Sequence, residues 1–314
     1  MKRAILVVVD SLGVGYMEDV HETRPQDVGA NTFVHLLDKA NKVNISNFER
    51  LGINKILNHN SLKKVDNLAS YGTLNLEHYG ADSYVGHQEI MGTKPKKPLL
   101  KPFSYFRDGV IKKLEAEGHR VTSPQRDKPY ILVDDLVVVA DNIETDYGQI
   151  YNVTAPLDYI SFEEVIDIAR KVRSVVKVNR VIALGGEGGT IDDILNSIET
   201  RHDGLTGVNS PKSGVYNKGY LSRHLGYGVD PDKQISSILA REGYDVTLIG
   251  KMQDVIECEK ARRIPAVDTE KVMKEIVDSM GHQRSGIIAA TVQETDLAGH
   301  AQDVEKYVEK LMIV

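Results

Sequence analysis

Residues 4–9, Ala-Ile-Leu-Val-Val-Val, form an unbroken apolar run that stops at Asp10 and leads into Ser11, Gly13 and Gly15. A continuous rather than alternating run is the pattern of a strand buried on both faces, as at the centre of a parallel sheet. A polar residue at the carboxyl end of such a strand, ahead of glycines, stands where open α/β sheets place their chemistry. The start of the chain thus predicts a parallel sheet, covered on both faces, with a site at its carboxyl edge.

The rest of the chain repeats the theme. Helical spacing is expected over 32–40, 46–51, 109–117, 162–176, 233–241 and 268–280, and strand-like runs over 130–140, 180–184, 245–249 and 286–292. This alternation predicts an α/β protein with a mostly parallel sheet and helices on both faces. A chain of 314 residues holds about two domains. Two stretches read as joints: 93–98, basic and proline-containing, and 204–219, rich in Gly, Ser, Asn and Lys. They bracket a small inserted α/β domain at 98–214, which leaves 1–97 and 215–314 as a discontinuous core.

Composition narrows the function. With 41% hydrophobic and 27% charged residues, the chain is expected to fold as an ordinary globular protein. A net charge of −6, no Trp and 6% aromatics argue against a basic, stacking surface for nucleic acid. The longest apolar runs, 4–9 and 136–140, fall far short of the roughly 18 residues that span a bilayer. Asp10 interrupts the one start that resembles a secretory signal. The lone Cys258 cannot form an internal disulfide, so a reducing, cytoplasmic setting is expected. Acidic residues flank it and no base is near in sequence, so it reads as non-catalytic.

Three stretches carry candidate chemistry. Residues 80–89 place Asp82, Ser83, His87 and Glu89 within eight positions between glycines. Ser83 there is a nucleophile, a metal ligand, or both; the alternative is a polar turn with a helix cap at Ser83. After the run 286–292 come Asp296 and His300, four apart and so on one helical face. Asp with His suits zinc or manganese; the alternative is a capping Asp and a structural His. Asp10 is the third, with a bland reading as a helix cap. Asp10, Ser83, Asp296 and His300 brought together would supply the hard-oxygen and imidazole donors of a two-metal site. Lys251 and Arg223 are candidate anion-binding cations. Gly185-Gly-Glu-Gly-Gly189 lacks dinucleotide and P-loop spacing and reads as a flexible turn.

Taken in order, the motifs resemble the phosphopentomutase branch of the alkaline phosphatase superfamily. The matching segments are Val8-Val-Asp-Ser-Leu-Gly-Val-Gly15, residues 27–32, Gly86-His-Gln-Glu-Ile-Met-Gly92, Arg223 with His224, Ile249-Gly-Lys-Met-Gln-Asp-Val255, and Asp296 with His300 leading to Asp303. The resemblance covers both ends of the chain and its middle more loosely; 80–92 is the most specific part. It implies an alkaline-phosphatase-like α/β core with an inserted cap, two divalent metal ions, usually manganese, and a phosphorylated Ser or Thr. By position, Ser83 is the implied phosphoryl acceptor and shares one metal with Asp10, while Asp296 and His300 serve the other. Lys251 resembles a family lysine near the substrate, and Asp158 is a looser match for a cap residue that holds the sugar.

The implied activity is a phosphomutase, an isomerase that moves a phosphoryl group within a sugar phosphate such as ribose or deoxyribose phosphate. A phosphatase or phosphonate hydrolase using the same residues, and a non-catalytic protein that binds a phosphorylated ligand, are the competing readings. There are departures from the family pattern. The acceptor is Ser rather than the usual Thr, and 182–189 lacks the arginine expected to grip the sugar phosphate. The family also completes its metal site with an Asp-His pair on a later strand and one further histidine. Beyond His300 there is no histidine, and the helical pattern of Val304, Tyr307, Val308, Leu311 and Met312 continues to the last residues. The sequence is therefore expected to be truncated at its carboxyl end.

Overall fold

The computed structural model describes residues 2–66 and 69–314. They fall into two compact units: residues up to Pro95 together with Asp230–Val314, and Lys96–Val229. In chain order the strands are β1 (Arg3–Val9), β2 (Val121–Thr122), β3 (Ile131–Val133), β4 (Val137–Asp141), β5 (Ile150–Pro156), β6 (Arg180–Gly186), β7 (Ile198–Thr200), β8 (Thr206–Val208), β9 (Leu221–Gly226), β10 (Val246–Ile249), β11 (Arg262–Ile264) and β12 (Gly286–Val292). Among the described residues, no helix is long and apolar enough to cross a membrane.

The first unit is built on a four-stranded sheet, ordered β1-β12-β10-β11, in which every pairing is parallel. Because alternate side chains point to opposite faces, its apolar strands feed two cores. Leu248, Ile287 and Ala289 pack with Met91 and Met252 on one face; Ile249, Ile288, Ala290 and Val292 pack with Val272 and Ile276 of the helix Thr269–His282 on the other. That helix starts where Asp268 accepts a hydrogen bond from the Lys271 amide, the capping chemistry expected of an N-terminal Asp. A third cluster gathers Phe33, Leu36, Leu37, Tyr307 and Leu311 beside the carboxyl end of β1.

The run 4–9 is corrected in one respect. It is a strand, but it lies at the sheet's edge, and Ile5 and Val7 remain 41% and 37% exposed. Their register partners, Ile288 and Ala290, are fully buried beneath the helix Thr269–His282. A continuous apolar run reports apolar side chains on both faces of a strand, not the number of strands beside it.

The second unit holds a mixed six-stranded sheet, ordered β2-β3-β4-β5-β6-β9, with only β5 and β6 parallel, and a β7-β8 ribbon. Three readings change here. The run 130–140 is two strands, because Asp134 and Asp135 both take positive φ (49° and 60°) and turn the chain back through the three residues between β3 and β4, the backbone that tight hairpin turns demand. In the glycine-rich stretch, Gly185 and Gly186 belong to β6 rather than to a turn. A Cβ on Gly186 would stand 2.1 Å from the Val215 carbonyl oxygen, so the close approach of that backbone requires glycine. Finally, β9 pairs with β6, so the chain leaves this unit at 229/230 rather than within 204–219, and the residues 215–229 placed with the core belong here.

Asp141 ties this unit together. Fully buried, it accepts hydrogen bonds from the Phe103 amide (2.7 Å) and the Thr206 amide (3.1 Å). Burial outweighs those two bonds and pushes its carboxyl up to about 6. An aspartate raised above its unfolded value carries a penalty for being ionised in the fold. That penalty is relieved as pH falls through about 6 toward the unfolded value. Between pH 7 and pH 4.5, Asp141 is expected to contribute a gain of about 1–3 kcal/mol. Urea unfolding of Asp141→Asn should lack that component, so its stability should fall relative to the parent as the pH is lowered.

Candidate active site

The site sits at the carboxyl edge of the parallel sheet in the first unit. Asp10 follows β1 directly, and its amide donates to the Val292 carbonyl (3.0 Å), which extends the β1-β12 register by one residue. Lys251 opens the short helix Lys251–Val255 after β10. The parallel register therefore delivers the ends of three neighbouring strands, β1, β12 and β10, to one edge. Between β10 and Lys251 stands Gly250, at φ +65°, where a Cβ would lie 2.7 Å from the Thr291 carbonyl oxygen.

Ser83 reaches the same place from the helix Ser83–Ile90. It is the first residue of that helix and is exposed; the cap is Asp82, whose carboxylate accepts from the Tyr84 and Val85 amides (2.9 and 3.3 Å). Asp82 thus takes the capping role considered for Ser83, which frees the serine hydroxyl. Lys251 Nζ donates to Asp10 Oδ2 (2.5 Å) and to Ser83 Oγ (2.7 Å), and Ser83 Oγ lies 3.5 Å from Asp10 Oδ1. Asp10, Ser83 and Lys251 are thereby brought together as one cluster.

His87, one turn after Ser83, is a member of this cluster that spacing alone underweights. It is 3% exposed. Its Nδ1 lies 2.7 Å from the Ser83 carbonyl oxygen and its Nε2 3.2 Å from Thr291 Oγ1. A carbonyl oxygen only accepts, so Nδ1 carries the hydrogen and Nε2 accepts from the threonine. Burial pushes the imidazole below its ordinary value despite the Ser83 carbonyl and Asp10, so it is neutral and acts as a strut between helix and sheet.

Glu89, also in the motif, faces away from this cluster. It accepts from the Glu77 amide (2.8 Å), the His78 amide (3.2 Å) and His78 Nδ1 (2.8 Å), and so clips the preceding loop to the serine helix. Burial acts to raise its carboxyl, but these bonds together hold it below the usual range. Gln88 anchors the far side, donating to the Val255 carbonyl (2.6 Å) and accepting from Gln234 Nε2 (2.7 Å).

Asp296 and His300 lie on one face of the helix Glu294–His300, with Asp296 Oδ1 and His300 Nε2 3.8 Å apart. Gln293 is the cap, so the capping alternative for Asp296 does not apply. His300 is 81% exposed, and an ion pair so open contributes little to stability. Of the remaining candidates, Asp158 and Arg223 belong to the second unit. Asp158 accepts from the Gly188 amide (2.5 Å), and Arg223 lies in β9 opposite Ala183. Cys258 is buried and free.

The donors have the chemistry a divalent ion takes, a carboxylate and a hydroxyl in one pair and a carboxylate and an imidazole in the other. In number they fall short. Among the described residues, no three of His, Cys, Asp and Glu gather closely enough to hold a metal. These residues alone are not a closed ligand set.

Glu89→Ala is expected to release three donors at once and to lower stability in urea unfolding by about 2–3 kcal/mol, while leaving the Lys251–Asp10 contact in place.

The Metalloenzyme superfamily profile matches residues 2–314. The chain is similar to a phosphopentomutase of Clostridium kluyveri, 26% identical over 322 residues, which span 99% of this chain and 77% of that protein. It is similar as well to the phosphopentomutases of Alkaliphilus oremlandii (25% identical, 98% and 75% covered) and Symbiobacterium thermophilum (24% identical, 99% and 76% covered). The profile match runs over the full described length, so the chain belongs to the metalloenzyme superfamily, and divalent-metal dependence is what that membership implies.

Proposed function

We propose that this protein is a metal-dependent phosphomutase that moves a phosphoryl group within a pentose phosphate through a phosphoserine at Ser83. The observation that carries the reading is the exposed Ser83 hydroxyl held 2.7 Å from the Lys251 ammonium beside Asp10. The similarity to phosphopentomutases supports the choice of substrate class.

In the proposed reaction, Ser83 Oγ attacks phosphorus. The Oγ–P bond forms, the bond from phosphorus to the first sugar oxygen breaks, and the serine proton passes to that departing oxygen. The return step reverses these changes at a second sugar oxygen. Lys251, already donating to Oγ, orients the attacking lone pair and sets a positive charge against the incoming phosphate. His87 fixes the first turn of the serine helix by its bond to the Ser83 carbonyl, so that Oγ needs no reorientation before attack. In this proposal two divalent ions, manganese as the family resemblance implies, would be held in part by Asp10 with Ser83 and by Asp296 with His300. The chemistry they supply when bound is charge neutralisation on the phosphate. Asp158 and Arg223 are proposed as substrate-binding residues. The buried, free Cys258 supports a reducing, cytoplasmic setting.

The test is incubation with manganese and phosphate-labelled ribose 1-phosphate. The parent is expected to yield ribose 5-phosphate and label on Ser83, and Ser83→Ala neither. Inorganic phosphate as the main product would replace the mutase reading with a hydrolase. Label retained on Ser83→Ala would overturn the assignment of the acceptor, and tight ligand binding with no turnover would mark a phospho-ligand-binding protein.

A further inference from the structure

Asp10 is presented by a turn that its own sequence disfavours. The Leu12 amide donates to the Val9 carbonyl (3.4 Å), so 9–12 form a four-residue turn with Asp10 and Ser11 at its centre. Ser11 is at φ +61°. Positive φ at the third residue of such a turn ordinarily calls for Gly or Asn, and a serine held there is strained. Packing does not hold it, because Ser11 is exposed. A hydrogen bond does: Ser11 Oγ lies 2.9 Å from the hydroxyl of Tyr307.

Tyr307 is well placed to act as an anchor. It lies on the helix Val304–Ile313, its side chain is 1% exposed, and it packs with Phe33, Leu36, Leu37 and Leu311. Burial pushes its phenol up to about 12, so the hydroxyl is protonated across the working range. It also lies 3.5 Å from the Asp10 carbonyl oxygen, where Thr295 Oγ1 donates at 2.7 Å. The backbone of Asp10 and Ser11 is therefore gripped from two elements that follow β12. The same turn directs the Asp10 carboxylate to Lys251 and toward Ser83.

We infer that Tyr307 is a positioning residue: its hydroxyl holds Ser11 in the left-handed conformation and so sets the Asp10 carboxylate against Lys251. The consequence for catalysis rests on the mutase reading; the geometry does not. The test accordingly reads the geometry, as the rate at which Lys251 is acetylated by a small reagent, followed in the full chain by mass spectrometry. An ammonium held by Asp10 reacts slowly. In Tyr307→Phe, acetylation of Lys251 is expected to rise about threefold to tenfold, the range for one lost hydrogen bond. Ser11→Ala still disfavours positive φ but lacks the bond, so it should match it, and the double variant should react no faster than either. Ser11→Gly takes positive φ without strain, so adding Tyr307→Phe to it should change the rate by less than twofold.

An unchanged rate in Tyr307→Phe, additive effects in the double variant, or a parallel rise at the surface residues Lys113 and Lys274 would each overturn the inference, the last by showing general loosening. Absence of phosphoryl transfer in the parent would sink the mutase reading and leave this measurement standing. Under the mutase reading, phosphoserine should form more slowly in Tyr307→Phe by a similar factor.

Discussion

The Lys251 ammonium bridges Asp10 and Ser83, at 2.5 and 2.7 Å, and the arrangement of the candidate site depends on that bridge. The Lys251 and Asp10 side chains are 17% and 8% exposed. Removing either charge would leave the other poorly solvated, at a cost of about 3–5 kcal/mol for a well-buried pair. The bridge also organises the candidate site. It draws together a carboxylate at the end of β1, a cation after β10 and a hydroxyl from a separate helix, which no local interaction along the chain could do.

The parallel register makes the bridge possible. In a parallel sheet all carboxyl ends face one way, so the residues just beyond β1, β10 and β12 converge regardless of their distance in sequence. Each is then fixed locally. Gly250 permits the tight turn into Lys251, Thr295 and Tyr307 hold the backbone at Asp10, and Asp82 caps the serine helix so that the Ser83 hydroxyl is left to Lys251. His87, buried and neutral, spans from that helix to Thr291 on β12. Much of the motif around Ser83 is scaffold: Glu89 and Gln88 spend their polar groups on the loops beside it.

The positive φ of Ser11 fits the same pattern. Strained backbone persists where the surroundings over-determine it, and such places cluster at functional sites. The third position of this turn would be relaxed with glycine. A serine there has a use only if its hydroxyl is engaged, and Tyr307 engages it.

The α/β class, the strand ends bearing Asp10 and Asp296, and the serine-centred motif were legible in the amino-acid order, because apolar runs, helical spacing and turn residues are local properties. Tertiary structure decided the rest. Whether the run 4–9 is central or at an edge depends on neighbours that no window contains, and the hairpin at Asp134 and Asp135 depends on a pairing that only the folded sheet provides. Likewise, the roles of Glu89 as a clip, His87 as a strut and Tyr307 as an anchor arise from contacts between distant segments. Sequence by itself determined which side chains were available for chemistry. The fold decided which of them touch, because proximity across a parallel sheet is set by register and not by separation along the chain.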